Sequence, residues 1–274
     1  MAEKVVPIAR DPKETLRRLA RGSHAGLVTT ERSAELLGVG ASVASLTLGR
    51  LVRRGWLARV RRGLYLILPL EAGSEGTAIE DPWVLARELY LPCYIGGWTA
   101  AEYWGLTEQL FRTTFVVTSA NIRRARETFL DAEFHLTRGT KKRVAEVGQV
   151  WRGRERVAVS DRERTIADAL ANPRWVGGVR HLVEILGTYR ESKEWNPNRL
   201  IERLDEIGSG AAFKRLGYVA ETILASDLPL VNEALARRTA GVVKLDPAIA
   251  ERGRINTRWG LSVNVPLDRG ASAG

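Results

Sequence analysis

The sequence is poor in the residues that hold metals and form disulfides. Cys93 is the only cysteine among 274 residues, which excludes an intrachain disulfide and a thiolate metal cluster. The three histidines, His24, His135 and His181, lie far apart and match no zinc-binding spacing. With so few candidate nucleophiles and ligands, we expect no bound metal, no cofactor and no catalytic activity.

Long apolar stretches are also missing. The longest, residues 64–70, has seven residues and includes a proline, whereas a membrane-spanning helix needs roughly 18. The first nine residues include Glu3 and lack the apolar segment of a signal peptide. Hydrophobic residues make up 45% of the chain and charged residues 27%, which is enough for a packed core. We therefore expect a soluble cytoplasmic protein with one large domain or two smaller ones.

Positive charge is concentrated at the start of the chain. The net charge is +10, and residues 1–70 contribute 13 Lys and Arg against 5 Asp and Glu. Residues 71–120 reverse this balance, with 2 against 7, and residues 121–156 restore it, with 10 against 5. A local excess of this kind favours a polyanionic partner, because Lys and Arg at phosphates release condensed counterions. A basic face that is merely solvated is the alternative.

The first 70 residues combine three helical patterns with a strand pair. The helices begin near Asp11, near Thr29 and at residue 41, and a short glycine-containing turn separates the second from the third. Extended stretches at residues 56–60 and 64–68 follow, joined by a basic turn with a glycine. This order is typical of a winged helix-turn-helix, in which the third helix enters the major groove of DNA.

The third helix and the strand pair carry a basic cluster. On a helical wheel, apolar residues such as Ala44 and Leu48 share one face, and Arg50 and Arg53 lie opposite. Six arginines and no acidic residue lie within residues 50–62. They can reach base edges, phosphates or a minor groove. These candidate DNA contacts are Arg50, Arg53, Arg54, Arg59, Arg61 and Arg62.

A small and polar segment at residues 71–79 predicts a linker between two domains. Residues 1–70 then form the winged helix-turn-helix domain, and residues 80–274 form a larger second domain. Strand patterns precede helix patterns in the second domain, which indicates an α+β fold with a helical C-terminal half. The predicted elements are strands at residues 114–118, 129–136, 149–151, 157–159 and 255–265, a helix at residues 82–90, and several helices after residue 160.

Two motifs of the second domain have simple structural interpretations. Ser160 and Glu163 have the spacing of a capping box, in which the Ser160 hydroxyl accepts a hydrogen bond from the amide of Glu163. Arg164 and Asp168 lie one helical turn apart and can form an ion pair. We therefore expect these charged residues to stabilise a helix rather than to catalyse a reaction.

Alternation along a predicted strand places Asp131, Glu133 and His135 on one face. A nuclease metal site would need a lysine where His135 stands, so a water-exposed strand face is favoured and a DNA nuclease is the alternative. Basic residues flank these strands and could form a second surface for nucleic acid or an acidic partner, or ordinary exposed loops. They are Arg123, Arg124, Arg126, Arg138, Lys141, Lys142 and Arg143.

Three segments in this order resemble the AbiEi family of antitoxins, the transcription-repressing half of type IV toxin–antitoxin operons in phage defence by abortive infection. The first segment joins Gly55-Trp56-Leu57 to Arg61-Arg62-Gly63-Leu64-Tyr65. The second is YIGGWTAAEYWGL at residues 94–106, and the third is SDRERTIADAL at residues 160–170. Many regulators share the winged portion, so the two later segments make the resemblance specific.

The resemblance implies a two-domain repressor that binds inverted repeats at its own promoter and so autoregulates its operon. Its second domain would counteract a nucleotidyltransferase-like toxin, directly or indirectly. The family's DNA contacts map onto the third helix and the wing, which adds Ser42, Ser45 and Thr47 to the arginines. Leu46 departs from this pattern: either it contacts a thymine methyl group, or the helix phase is off by one residue. A regulator with a ligand-sensing second domain is a further alternative.

Overall fold

The computed structural model describes residues 11–24, 26–68, 81–222 and 228–267. The first ten residues and the predicted linker, residues 71–79, lie outside the described residues. The chain divides into two compact units, which are described separately below. The first contains the chain up to Leu85 together with the short segments Thr128–Ala132 and Arg152–Glu155, and the second contains the remainder.

The first unit contains a winged helix-turn-helix, which confirms the predicted fold of this region. Strand β3 lies between β1 and β2 and pairs antiparallel with both. The three-residue strand β1 was not predicted, because it is too short to show an alternating pattern. The elements are α1 (Pro12–Arg21), β1 (Leu27–Thr29), α2 (Thr30–Leu37), α3 (Ala41–Arg53), β2 (Leu57–Arg61) and β3 (Leu64–Ile67).

Side-chain caps explain where α1 and α2 begin. The Asp11 carboxylate accepts from the amide of Lys13 at 2.9 Å, and the Thr29 hydroxyl accepts from the amide of Arg32 at 3.1 Å. Gly38 ends α2 with a φ of 67°, a left-handed conformation that glycine adopts without strain. The chain then turns into α3 at 102° to α2, an angle within the range of helix-turn-helix motifs.

No single helix in the described ranges is long and apolar enough to span a membrane. Helices α2 and α3 would reach the required length and composition only together, across the bend between them.

One apolar core holds the winged domain together. It joins side chains of all three helices to the sheet, which fixes the orientation of α3. The amide of Thr30 at the start of α2 donates to the carbonyl of Gly63 at 2.9 Å, so the turn of the β2–β3 hairpin is tied to α2. The buried members of this core are Leu16, Leu19, Val28, Leu37, Leu48, Leu51, Leu57 and Tyr65.

From α4 onward the chain forms a mixed sheet followed by a separate hairpin. Strands β4 and β5 are antiparallel, β5 and β7 are parallel, and β6 completes the order β4-β5-β7-β6. Strands β8 and β9 form a two-stranded sheet of their own. The elements are α4 (Pro82–Tyr90), β4 (Cys93–Ile95), α5 (Gly97–Tyr103), β5 (Thr113–Thr118), β6 (Arg126–Phe129), β7 (Ala132–Arg138), α6 (Lys141–Ala145), β8 (Gln149–Arg152) and β9 (Glu155–Ala158).

The rest of the second unit is mainly helical, as predicted. A 3-10 helix at Pro173–Val176 separates α7 from α8. A small sheet with the order β10-β12-β11 closes the described chain. The elements are α7 (Arg162–Ala171), α8 (Val179–Glu191), α9 (Pro197–Ile207), α10 (Gly210–Thr222), α11 (Leu228–Arg237), β10 (Val243–Lys244), β11 (Arg254–Asn256) and β12 (Leu261–Val263).

Two predicted strands of the second domain are wrong as single elements. The stretch 129–136 is interrupted at Leu130 and Asp131, which turn the chain from β6 into β7, with a φ of 52° at Leu130. The stretch 255–265 is likewise two strands, β11 and β12, joined by a turn that ends at Gly260. In both stretches the turn residues gave too weak a signal in the sequence to predict two strands instead of one.

The predicted capping box of α7 is wrong by one residue. Asp161, not Ser160, is the N-cap, and its carboxylate accepts from the amide of Arg164 at 2.7 Å. The Ser160 side chain is buried instead, with its hydroxyl 2.7 Å from that of Thr165. The predicted ion pair between Arg164 and Asp168 is confirmed at 3.0 Å.

Candidate nucleic-acid interface

Helix α3 turns one face to the core and the other to solvent. Ala44 and Leu48 are fully buried, and Leu51 is buried beside them. This confirms the predicted phase of the helix, which leaves five predicted or adjacent side chains accessible to a partner. They are Ser42, Ser45, Leu46, Arg50 and Arg53.

Leu46 lies on the solvent face of α3 with 65% of its surface exposed. The burial of the opposite face excludes a shift in helix phase, and the contact of Leu46 with a thymine methyl group stays a prediction. Thr47 is less accessible than the two serines, since it is half-buried and donates its hydroxyl to the carbonyl of Val43 at 2.8 Å. Ser42 and Ser45 are therefore the better hydrogen-bonding candidates on this face.

The β2–β3 hairpin presents the remaining arginines. Arg59 and Arg61 are exposed on β2, where the strand pairing shifts register between them, and Arg62 is exposed in the turn. Gly63 completes the turn with a φ of 80°, which an L-residue with a side chain adopts only with strain. We call the six exposed arginines of α3 and the hairpin the arginine ridge: Arg50, Arg53, Arg54, Arg59, Arg61 and Arg62.

Acidic side chains of the same unit leave most of the arginine ridge unneutralised. Glu14 pairs with two arginines of α1, and Glu35 pairs with Arg32 at 2.8 Å within α2. In the part of the chain that the structure describes, five ridge members form no ion pair. They are Arg50, Arg53, Arg54, Arg59 and Arg62. A set of exposed like charges without carboxylate partners favours a polyanion such as the DNA backbone.

The second predicted basic group is exposed, with one exception. Arg143 is only 22% exposed, its guanidinium binds the buried carboxylate of Asp168, and it lies 4.7 Å from the ring centre of Trp175. Burial and pairing therefore remove it from this surface. The six exposed members are Arg123, Arg124, Arg126, Arg138, Lys141 and Lys142.

Asp168 lies at the centre of a buried charged network. Besides Arg143, it accepts from Arg164 Nε at 3.0 Å and from the Tyr94 hydroxyl at 2.7 Å. Burial and the adjacent Asp168 carboxylate raise the pKa of Tyr94 well above its usual value, so the phenol stays protonated and donates. A fully buried carboxylate is tolerated here because two guanidinium groups and a hydroxyl surround it.

The network continues outward along α7 and α9. Asp161 accepts from Arg199 at 3.0 Å and from Arg203 at 2.6 Å. Burial raises the pKa of Asp161, but the amide of Arg164 and these two arginines outweigh that effect and hold the pKa below its usual value. The network balances four arginines against four acids, so it offers little charge to a partner. Its members are Arg143, Arg164, Arg199, Arg203, Asp161, Glu163, Asp168 and Glu206.

The two later segments that carry the AbiEi resemblance, residues 94–106 and 160–170, lie against each other. Besides the bond between Tyr94 and Asp168, Trp104 Nε1 donates to the carbonyl of Ser160 at 2.6 Å. The amide of Ser160 in turn donates to the carbonyl of Ile95 at 3.0 Å. These contacts hold the two segments side by side within the second unit.

The predicted acidic strand face does not form a cation site. Asp131 lies in the turn before β7, and Glu133 accepts from the hydroxyl of Thr113 at 2.9 Å. The His135 ring stacks on Phe115 with centroids 4.9 Å apart, and burial followed by the charge of Arg126 lowers its pKa. Within the described ranges, no three His, Cys, Asp or Glu side chains are grouped to hold a metal ion.

One exposed aromatic residue was not singled out from the sequence. Trp151 on β8 is 62% exposed, and the guanidinium of Arg156 on β9 lies 4.6 Å from its ring centre. The signal was present in WRGRER at residues 151–156, which places arginines around a glycine turn as the β2–β3 hairpin does. The exposure of a single aromatic side chain has no periodic pattern in the sequence to reveal it.

These features define a winged helix-turn-helix protein with a larger α+β second domain. Residues 14–67, from within α1 to the end of β3, match the family model described as "Transcriptional regulator, AbiEi antitoxin". This match confirms the resemblance to AbiEi antitoxins over the winged domain. It supports a role as a DNA-binding regulator or antitoxin, and this family consists of regulators rather than enzymes.

A solved structure shares the fold of most of the chain. The crystal structure of RV2827C protein from Mycobacterium tuberculosis superposes with a TM-score of 0.65 at 18% sequence identity. The match covers 93% of this chain and 94% of that chain. At this identity the similarity establishes the fold alone. A search of curated protein sequences gives no significant match.

Proposed function

We propose that this protein represses its own toxin–antitoxin operon by binding inverted repeats in the promoter, and that it counteracts a nucleotidyltransferase-like toxin. The arginine ridge carries this proposal. It combines exposed, largely unpaired cations with a winged domain whose family model describes a transcriptional regulator. No other arrangement in the described part of the chain unites exposed charge with a fold of this kind.

The geometry of the winged domain suggests a division of roles. Arg50 and Arg53 lie on the solvent face of α3 with Ser42 and Ser45, where side chains of a recognition helix reach base edges. The hairpin arginines would bind phosphates or a minor groove beside it. Because the amide of Thr30 holds the hairpin turn at Gly63, the helix and the wing would engage the duplex as one rigid surface.

A salt titration of promoter binding tests the regulator proposal. If six phosphates are neutralised, the logarithm of the affinity should fall with the logarithm of the salt concentration at a slope of roughly −5. The double variant Arg61→Ala/Arg62→Ala should weaken binding to all duplexes alike and reduce the slope by about 2. Fluorescence anisotropy with a labelled promoter duplex measures both quantities.

A charge-matched variant serves as the control for this titration. Arg180→Ala/Arg252→Ala removes two exposed arginines of the second unit and the same net charge. We expect this variant to keep the wild-type affinity and salt slope. A salt-independent affinity of the wild-type protein, or equal losses in the two double variants, would contradict the assignment of the arginine ridge.

The antitoxin activity can be separated from repression by the same variants. When the neighbouring toxin gene is co-expressed, Arg61→Ala/Arg62→Ala should derepress a promoter reporter and still restore growth, because both substitutions lie in the winged domain. Co-purification of the toxin with the tagged protein then distinguishes direct from indirect neutralisation. If the double variant lost growth rescue at an unchanged protein level, antitoxin activity would depend on DNA binding.

A ligand-sensing second domain is the second candidate, because the structure contains an open cavity lined by basic residues. A cavity of about 480 Å³ opens between α10 and the β11–β12 hairpin, a volume within the range of small-molecule sites. Arg254 and Tyr218 line it, as does Arg258, which also pairs with Glu221 at 2.9 Å. These residues suit an anionic ligand. A change in promoter affinity on adding ATP or inorganic phosphate, abolished by Arg254→Ala, would favour this function.

A further inference from the structure

Trp151 is exposed in a way that no other tryptophan of the chain is. The protein has eight tryptophans, and the other seven are buried or half-buried. Trp151 is 62% exposed and lies on β8 of a two-stranded sheet. Tryptophan has a large apolar surface, so leaving most of it in water forgoes a substantial hydrophobic stabilisation. Because tryptophan is enriched at interfaces, Trp151 is a candidate interaction residue.

The β8–β9 hairpin, which carries Trp151, contacts the rest of the second unit through β9. Val157 on β9 is buried, and Arg87 of α4 donates to the carbonyl of Arg156 at 2.9 Å. The side chain of Arg156 faces solvent, with its guanidinium 4.6 Å from the centre of the Trp151 ring. This cation–π contact orients the indole and occupies one of its faces. The second face is then available to another flat group.

Basic side chains lie on a neighbouring hairpin that packs on the same helix. One turn after Arg87, the Tyr90 hydroxyl donates to Glu127 at 2.9 Å, and its ring contacts Phe134 with centroids 5.5 Å apart. These contacts fix β6 and β7 against α4. The exposed arginines before and on β6 form no ion pair with any residue in the described ranges. They are Arg123, Arg124 and Arg126.

We propose that Trp151 and Arg156 form a platform on which an unpaired base of a single-stranded nucleic acid stacks. A flat indole oriented by a guanidinium matches the base of such a ligand, and the unpaired arginines on the other hairpin that packs on α4 match its phosphate chain. Bases stack on aromatic side chains and on guanidinium planes with little sequence preference. An acidic peptide would use the cations but would leave the indole face without a matching group, so nucleic acid is favoured.

Binding of a labelled single strand to the full-length protein tests this proposal. The probe is a 15-nucleotide oligothymidylate with a 5′ fluorescein, and a labelled 15-base-pair duplex of unrelated sequence is measured in parallel. Trp151→Ala should weaken single-strand binding by about 5- to 100-fold and leave duplex affinity unchanged. Trp151→Phe should retain most of the affinity, because a phenyl ring still stacks.

Two further variants separate stacking from charge and from folding. Arg156→Lys keeps the charge but loses the planar guanidinium, so we expect weaker single-strand binding at an unchanged salt slope. Ile255→Ala changes a side chain that is 56% exposed on another hairpin, and it should have no effect. All variants should keep the wild-type melting temperature, because their side chains are exposed.

The outcomes that overturn the proposal are distinct from a failure of promoter binding. The proposal is wrong if the wild-type protein does not bind the single strand, or if Trp151→Ala binds it as tightly as the wild type. It is also wrong if Trp151→Ala weakens single-strand and duplex binding equally. Displacement of the single strand by polyglutamate at an equal concentration of charge would instead indicate an acidic protein partner. Arg61→Ala/Arg62→Ala should lose promoter binding and keep single-strand binding.

Discussion

Arginines serve opposite purposes in the two units. On the arginine ridge they are exposed, and five of the six have no carboxylate partner in the described part of the chain. Around α7 they are paired: Arg164 is almost fully buried and binds Asp168, and Arg203 binds Asp161 at 2.6 Å. The same side chain is thus mostly exposed and unpaired in one unit, whereas in the other it holds helices together.

This difference shows that pairing, rather than charge count, distinguishes a binding surface from a structural network. Residues 121–156 have a positive balance like that of residues 1–70, yet Arg143 within them is directed inward to Asp168. A guanidinium that binds a buried carboxylate has exchanged its hydration for that partner, so it is no longer available to phosphate. The comparison predicts opposite effects of substitution in the two sets.

The largest expected effect is on stability, at the centre of the network. Asp168→Asn would leave Arg143 and Arg164 without their buried carboxylate, and breaking such a pair costs about 3–5 kcal/mol of the free energy of unfolding. The milder Tyr94→Phe removes one hydrogen bond to a charged group, for about 1.5–3 kcal/mol. Urea unfolding followed by circular dichroism measures both values.

An exposed ion pair provides the control for this prediction. Asp205→Asn removes a carboxylate of the same type that is 50% exposed and pairs with Arg237 at 3.0 Å. We expect a loss of at most about 1 kcal/mol, as for other surface pairs. If Asp168→Asn destabilised the protein no more than Asp205→Asn, the network would not be structural, and the contrast with the arginine ridge would disappear.

The next effect concerns binding rather than folding. Arg50→Ala should cost about 1–3 kcal/mol of promoter affinity and relax the sequence preference at one base pair, because a groove contact is lost. Arg59→Ala should weaken all sequences equally and lower the salt slope by about 1. Both variants should unfold within about 0.5 kcal/mol of the wild type. A uniform loss in Arg50→Ala would assign that residue to the backbone instead.

Much of the winged domain could be predicted from the sequence because its signals are local. Asp11 and Thr29 cap the helices that follow them, and Gly38 and Gly63 occupy turns with positive φ. Each of these residues affects only its immediate neighbours, so its position in the chain reveals its role. The exposure of Arg50 and Arg53 follows from the helical period of α3, whose buried face includes Leu48.

Apart from the Arg164–Asp168 pair, the network of the second domain could not be predicted, because its other partners are distant in the chain. Tyr94 lies 74 residues from Asp168, and Arg143 lies 25 residues from it. No periodic pattern links such residues. The sequence of a basic loop also does not show whether one of its arginines is exposed or buried. The prediction of the N-cap of α7 was wrong for a different reason. Ser160 and Asp161 are adjacent, and both residue types are favoured N-caps.

A pH titration sharpens the contrast further, because Asp161 belongs to the network. The folded state holds the pKa of Asp161 low, through the amide of Arg164 and the hydrogen bonds from Arg203 and Arg199, despite burial. Its ionised form therefore stabilises the protein above the unfolded pKa of about 3.9, and this stability is lost as the pH falls through the lower folded pKa.

The variant Asp161→Asn tests this pH dependence. Asparagine caps a helix about as well as aspartate does, so α7 keeps its N-cap while the titrating charge is removed. We expect the free energy of unfolding to depend less steeply on pH below about pH 5 than in the wild type. The same pH dependence in Asp161→Asn and in the wild type would contradict this assignment.

The smallest expected effect tests the role of Leu46, the apolar residue on the solvent face of α3. If Leu46 contacts a thymine methyl group, replacing that thymine by deoxyuridine should weaken wild-type binding by up to about 0.8 kcal/mol, the value of one buried methylene-sized group. In Leu46→Ala the same base change should have no further effect, because the partner of the methyl group is already gone. Equal effects of deoxyuridine in both proteins would show that Leu46 does not contact a base, and sequence reading from α3 would then fall to Arg50, Arg53 and the two exposed serines.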